Sequence, residues 1–234
     1  MARHRPALLL TAVLFTLGVL ARAAFAAWHP PFGSDVHDHA GIRALGPDAW
    51  LVWHAVVGGP SAVLAFTGLG RLVVAVCPQR GGALAAAGAL LAALGSQAFS
   101  AALTAEGVAW WYATADGVVG PEVGAELMAA FAAHPGPLDA PAGLGSLAIS
   151  LGVLLLLAGL WRARAVPRVV VLLTTALALS SAVPLPEWAS APRTAAEAAA
   201  LLVTGGCALR MALRPARPTA PTGSTHRGTV PTGT

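Results

Sequence analysis

The sequence predicts an all-α protein: a polytopic transmembrane bundle of about six helices with both ends in the cytoplasm. Three observations carry this. The chain is 56% hydrophobic and only 10% charged, with a mean hydropathy of +0.71, whereas about a quarter of the residues of a soluble domain are charged. Apolar stretches long enough to cross about 30 Å of hydrocarbon at 1.5 Å per residue recur along it. Arginines and acids sort to opposite sides of those stretches.

The spans fall at about 6–27, 50–76, 83–104, 143–161, 169–183 and 194–213, within one transmembrane domain over residues 1–213. The fifth is the shortest and lies between Pro167 and Pro184. The first also reads as a secretory signal, because Arg3 and Arg5 precede the apolar run Ala7–Leu20 and a small-residue site at Ala24–Ala26. Cleavage there would leave five helices in unchanged orientation. Residues 214–234 are rich in proline, threonine and glycine without apolar periodicity, and are expected to form a disordered cytoplasmic tail.

Charge sets the threading. Eleven arginines (Arg3, Arg5, Arg71, Arg80, Arg162, Arg164, Arg168, Arg210, Arg214, Arg217 and Arg227) fall on one side with no acidic residue, as the cytoplasmic side should. The outer side takes Arg22, Arg43 and Arg193 with all ten acids, so the two sides carry +11 and −7 and together give the net +4. Tryptophan prefers the headgroup level. Trp28, Trp50, Trp53, Trp110, Trp111 and Trp188 cluster at the outer boundary and Trp161 marks the inner one. The basic balance is divided among short inner loops, so it points to no nucleic-acid partner. All fourteen basic side chains are arginine, and alanine and glycine abound, a composition expected of a GC-rich bacterial coding sequence and hence of the bacterial plasma membrane. Cys77 and Cys207 sit near cytoplasmic helix ends and are expected as reduced thiols.

The inner loops are short, while the outer stretches Trp28–Ala49 and Ala105–Ala142 are long and acidic. Within the second, Pro121–His134 has a proline start, early acids and apolar residues at Val123, Leu127, Ala130 and Phe131, the pattern of a short surface helix.

Several small motifs bear on packing. Gly81, Gly88 and Gly95 in the third span, and Gly145, Gly152 and Gly159 in the fourth, repeat every seven residues and give each helix a smooth face. Such faces let membrane helices approach closely. Gly58, Gly59 and Pro60 lie mid-span in the second helix and predict a kink.

No motif specifies a reaction. GxSxG, HExxH, helical HxxxH and CxxC are all absent, and no cofactor is expected. The first outer loop holds the metal-ligand types His29, His37 and His39, with His54 just beyond, at a spacing that matches no known metal box. The sharper signal is polar residues inside apolar spans, which are expensive there. Arg22, His54 and Glu197 fall at similar depths below the outer tryptophans, roughly 6 to 9 Å by helical rise. Gln97 lies deeper, and Glu106 sits at the outer mouth. Arg22 and Glu197 are expected to form a buried ion pair beside His54.

The run LGVLLLLAGLWRARAVPRVVVLLTTALAL resembles a segment of uncharacterised bacterial six-helix membrane proteins, in which a helix ends in an aromatic residue, arginines and a Pro-Arg pair before the next span. Leu160, Trp161, Arg162, Pro167 and Arg168 carry the likeness. The resemblance implies topology and no chemistry.

The leading functional expectation is a small polar cavity in the outer half that binds or moves a small molecule. The alternative is an accessory or scaffold subunit that packs through its glycine faces against another membrane protein or a second copy. A metal-dependent membrane enzyme is third. The cavity reading requires polar groups around a shared space, and the scaffold reading requires smooth faces left open.

Overall fold

The computed structural model of the chain describes residues 5–29, 38–134, 136–180 and 187–214. Among them the regular elements are helical: α1 (Arg5–Trp28), α2 (His39–Leu45), α3 (Pro47–Leu51), a π-helical stretch (Val52–Gly58), α4 (Gly59–Val76), α5 (Gly82–Thr114), α6 (Pro121–Ala133), α7 (Gly136–Ala163), α8 (Arg168–Ser180) and α9 (Glu187–Ala212). The protein is an all-α bundle. Five segments are long and apolar enough to cross a membrane: Arg5–Trp28, Pro47–Val76, Gly82–Thr114, Asp139–Ala163 and Ala191–Ala212.

The fifth expected span differs. Helix α8 has 13 residues, about 20 Å by helical rise, which is short of the hydrocarbon thickness. It starts just after Pro167, whose carbonyl accepts from the Val170 and Val171 N–H groups. Residues 181–186, which the expected span entered, lie outside the described residues, as does the tail from residue 215.

The bundle centre is the α5/α7 pair. Its two glycine stripes face each other in antiparallel register: Gly81 against Gly159, Gly88 against Gly152, and Gly95 against Gly145. A Cβ on Gly88 would fall 2.7 Å from the Gly152 carbonyl oxygen, and one on Gly95 equally close to that of Gly145. Only glycine fits such an approach. Around this pair the core gathers Phe15 and Val19 of α1, Leu69 and Leu72 of α4, Leu156 and Leu160 of α7, and Ala208 of α9.

The long outer stretch expected over Ala105–Ala142 is mostly helix instead of loop. Helix α5 continues ten residues beyond the expected end to Thr114, α6 follows, and α7 begins at Gly136 with Pro141 inside it. The extension is stable because it is covered. A second apolar cluster of Ile42, Trp50, Ala113 and Met128, with Trp28, Trp110 and Leu127 against it, forms an outer cap. Trp111 Nε1 donates to Asp48 Oδ1 at 2.7 Å, and Arg43 pairs with Asp116. Helix α6 presents Gly124 and Met128 as its buried residues, with Leu127 and Phe131 half-buried, while Val123 is exposed. The i, i+3, i+4, i+7 face is therefore set by Gly124, where the α6 backbone lies against the Ala113 carbonyl.

The expected break at Gly58, Gly59 and Pro60 takes the form of a π-helical stretch just before the proline. Pro60 has no N–H, and its ring disfavours the ordinary carbonyl position four residues back. The Gly59 N–H reaches five residues back to the His54 carbonyl, and the Ser61 hydroxyl donates to the Gly58 carbonyl at 2.7 Å. A π turn re-aims the side chains it carries and is frequent at functional sites. Here it carries His54.

Candidate functional site

One face of α1 connects two polar sites. Arg22, Phe25 and His29 recur at helical spacing on that face. Arg22 and His29 are seven residues apart, about 10 Å along the axis, and so stand at different levels.

At the deeper level, α1, α4, α7, α8 and α9 line a half-open cavity of about 370 Å³. Arg22, Ser146, Ser150, Thr174 and Glu197 supply its polar lining, with apolar side chains such as Phe66 between them. The Arg22 guanidinium lies over two rings, 5.5 Å from the Phe66 centroid and 5.3 Å from that of Phe99. Cation–π contact of this kind stabilises a poorly solvated arginine. Thr174 is fastened to Thr204 of α9 by a 2.9 Å hydroxyl–hydroxyl bond, which holds the cavity floor.

The expected Arg22–Glu197 ion pair is not formed. Among the described residues the ion pairs are Arg43–Asp116 and Arg193–Glu197, the latter at 3.7 Å. Arg193 lies one turn from Glu197 on α9 and reaches it without bringing two helices together. Arg22 and Glu197 share a cavity wall but do not meet.

The shared layer of Arg22, His54 and Glu197 also divides. His54 belongs to the outer level, where His29, His54 and Glu106 bring one ligand atom each to within 4.8 Å of one another. His54 is fully buried. Its Nδ1–H donates to the Trp50 carbonyl at 2.9 Å, which in the neutral imidazole leaves Nε2 as the acceptor nitrogen. Trp50 stacks on its ring at 4.2 Å, Phe25 meets it edge-on at 5.2 Å, and the His29 ring lies 5.0 Å away. Gly107 of α5 makes room: a Cβ there would fall 2.8 Å from the His54 Cβ, so α5 approaches closely and places Glu106 beside the two imidazoles.

Other expected residues lie elsewhere. His39 meets the Ala113 carbonyl oxygen at 3.1 Å and holds α2 to the end of α5, apart from His29. His37 lies outside the described residues. Gln97 is exposed on α5, not part of a buried layer, because the inward faces of that helix are taken by the glycine stripe and Ser96.

The sequence grouped His29 with His54 among the ligand types of the first outer loop, and His54 with Glu106 in the polar layer, but never the three together. Their common level was readable: His29 follows Trp28 directly, His54 is one turn after Trp50, and Glu106 is one turn before Trp110. Compared with protein-family models, curated proteins and solved structures, the chain shows no significant match.

Proposed function

We propose that this chain is a multi-pass protein of the bacterial plasma membrane that binds a small amphipathic molecule in the Arg22 cavity, holding its anionic group on the guanidinium. The carrying observation is the charge arrangement in the wall. Glu197 has Arg193 as its ion-pair partner, whereas Arg22 lies over two aromatic rings and, among the described residues, has no carboxylate within ion-pair distance, Glu197 acting on it only from across the cavity wall. A carboxylate or phosphate entering the cavity would meet a planar, permanently charged donor that suits such groups. The Ser150 and Thr174 hydroxyls already donate to the Ser146 and Val170 carbonyls, so Arg22 is the principal donor, and the apolar lining suits a hydrocarbon body. The volume of about 370 Å³ suits a small ligand.

The glycine faces favour this reading over a scaffold. They are used within the chain, α5 against α7, so they are not the open smooth surfaces a scaffold would present. The test compares a medium-chain carboxylate with the corresponding alcohol, each titrated into purified full-length protein. Binding of the carboxylate, lost in Arg22→Gln at an unchanged melting temperature, is expected. Equal affinity for acid and alcohol would remove the role of Arg22.

A further inference from the structure

Above the cavity, and independent of it, we infer that His29, His54 and Glu106 form a binding site for a divalent transition-metal ion, with zinc the ion best matched by the ligands. Three side chains from three separate elements converge there: the end of α1, the π-helical stretch and α5. Their ligand atoms lie within 4.8 Å of one another. Bonds of about 2.0 to 2.2 Å in tetrahedral array require ligand atoms roughly 3.3 Å apart, so closure on an ion asks for about 1.5 Å of movement shared over three side chains. Rotations about side-chain bonds supply that without moving a helix.

The donor set selects the ion. Two imidazoles and one carboxylate, with no thiolate, suit zinc and other borderline divalent ions more than calcium or magnesium, which prefer all-oxygen shells, or copper(I), which prefers sulfur. Three protein ligands leave the fourth position to water, as in sites that polarise a bound molecule.

The surroundings support the ligands. The Trp50 carbonyl fixes the His54 tautomer so that Nε2 is the ligating nitrogen, the outer-shell arrangement that orients metal-bound histidines. Phe25 and Trp50 pack against the His54 ring, and Trp28 lies 6.0 Å from it, which limits access of bulk water. A carboxylate beside two neutral imidazoles in such a wall gains from a divalent cation. The π turn and Gly107 are two departures from regular helix packing that bring His54 and Glu106 together.

The experiment uses the full chain carrying an affinity tag without histidine, purified in detergent and stripped with EDTA. Zinc is titrated calorimetrically, and cobalt(II) is added as a visible-absorbing substitute. One saturable ion per chain is expected, together with cobalt ligand-field bands and a rise in melting temperature with zinc. Glu106→Gln preserves size, and His29→Ala removes a half-buried ring; each should weaken zinc binding at least about ten-fold. His39→Ala and Arg22→Gln, both outside the cluster, should leave it unchanged, which separates this site from the cavity below. Absence of saturable binding at one ion per chain would overturn the inference. Unchanged affinity in either His29→Ala or Glu106→Gln would do so as well. If a variant fails to fold, the zinc-dependent melting temperature of the unaltered chain decides: no rise rejects the site.

Discussion

Arg22 lies on a helix that must present it to something other than lipid, and its neighbours set what it can do. Two phenylalanine rings accept the guanidinium from the sides, and the nearest carboxylate of the cavity wall stands 3.7 Å from Arg193 and beyond ion-pair distance of Arg22. A double-mutant cycle with Arg22→Ala and Glu197→Ala should therefore be additive within about 0.5 kcal/mol in unfolding free energy. A buried ion pair would instead couple the two strongly, since removal of one partner from such a pair costs about 3 to 5 kcal/mol. Coupling of that size would restore the interhelical pair and weaken the case for an anionic ligand. Arg22→Ala alone should cost about 0.5 to 2 kcal/mol through lost cation–π contact.

Helices in this chain meet where side chains are missing. On the α5/α7 seam a Cβ at Gly152 would lie 2.6 Å from the Ala92 nitrogen and 2.8 Å from the Gly88 oxygen, both backbone atoms that cannot turn aside. Gly152→Leu should lower stability in detergent by about 1 to 3 kcal/mol or more, read as a fall in melting temperature. Gly206 on α9 has nothing within 4 Å of where its Cβ would be, so Gly206→Leu should change stability by no more than about 0.5 kcal/mol. Equal melting temperatures for the two variants would mean that the stripe does not hold the helices. The seven-residue period was legible because seven residues complete nearly two turns and return to one face. Which face met which was not, since the repeat carries no information about its partner.

For the whole molecule, crossing the bilayer five or six times places the two ends on opposite sides or on the same side. Five segments have the length, and the 13 residues of α8 do not span alone. The six-span threading puts Arg210 and Arg214 on the same side as Arg5, whereas five crossings would put them on opposite sides. A reporter enzyme active only outside the cytoplasm should be active when fused after Gly117, in the turn between α5 and α6, and inactive when fused after Leu213. Activity at both positions would establish an odd number of crossings and exclude the six-span threading.

Composition, apolar length and charge sorting determined by themselves that this is an all-α chain for a bilayer, because in hydrocarbon a backbone must satisfy its own hydrogen bonds and the helix does so locally. The same local physics made Arg22, His54, Glu106 and Glu197 conspicuous, since polar groups in apolar spans are costly wherever they sit. The sequence could not assign partners among them. Depth along a helix follows from residue number, but the direction a side chain faces across the bundle follows from which helices touch. Arg193 therefore takes Glu197 away from Arg22, and a π turn with a close approach at Gly107 brings His54 and Glu106 to His29. The Arg193–Glu197 pair is local to α9, but the meeting of His29, His54 and Glu106 is a contact between distant segments of chain, and only the tertiary packing decided it.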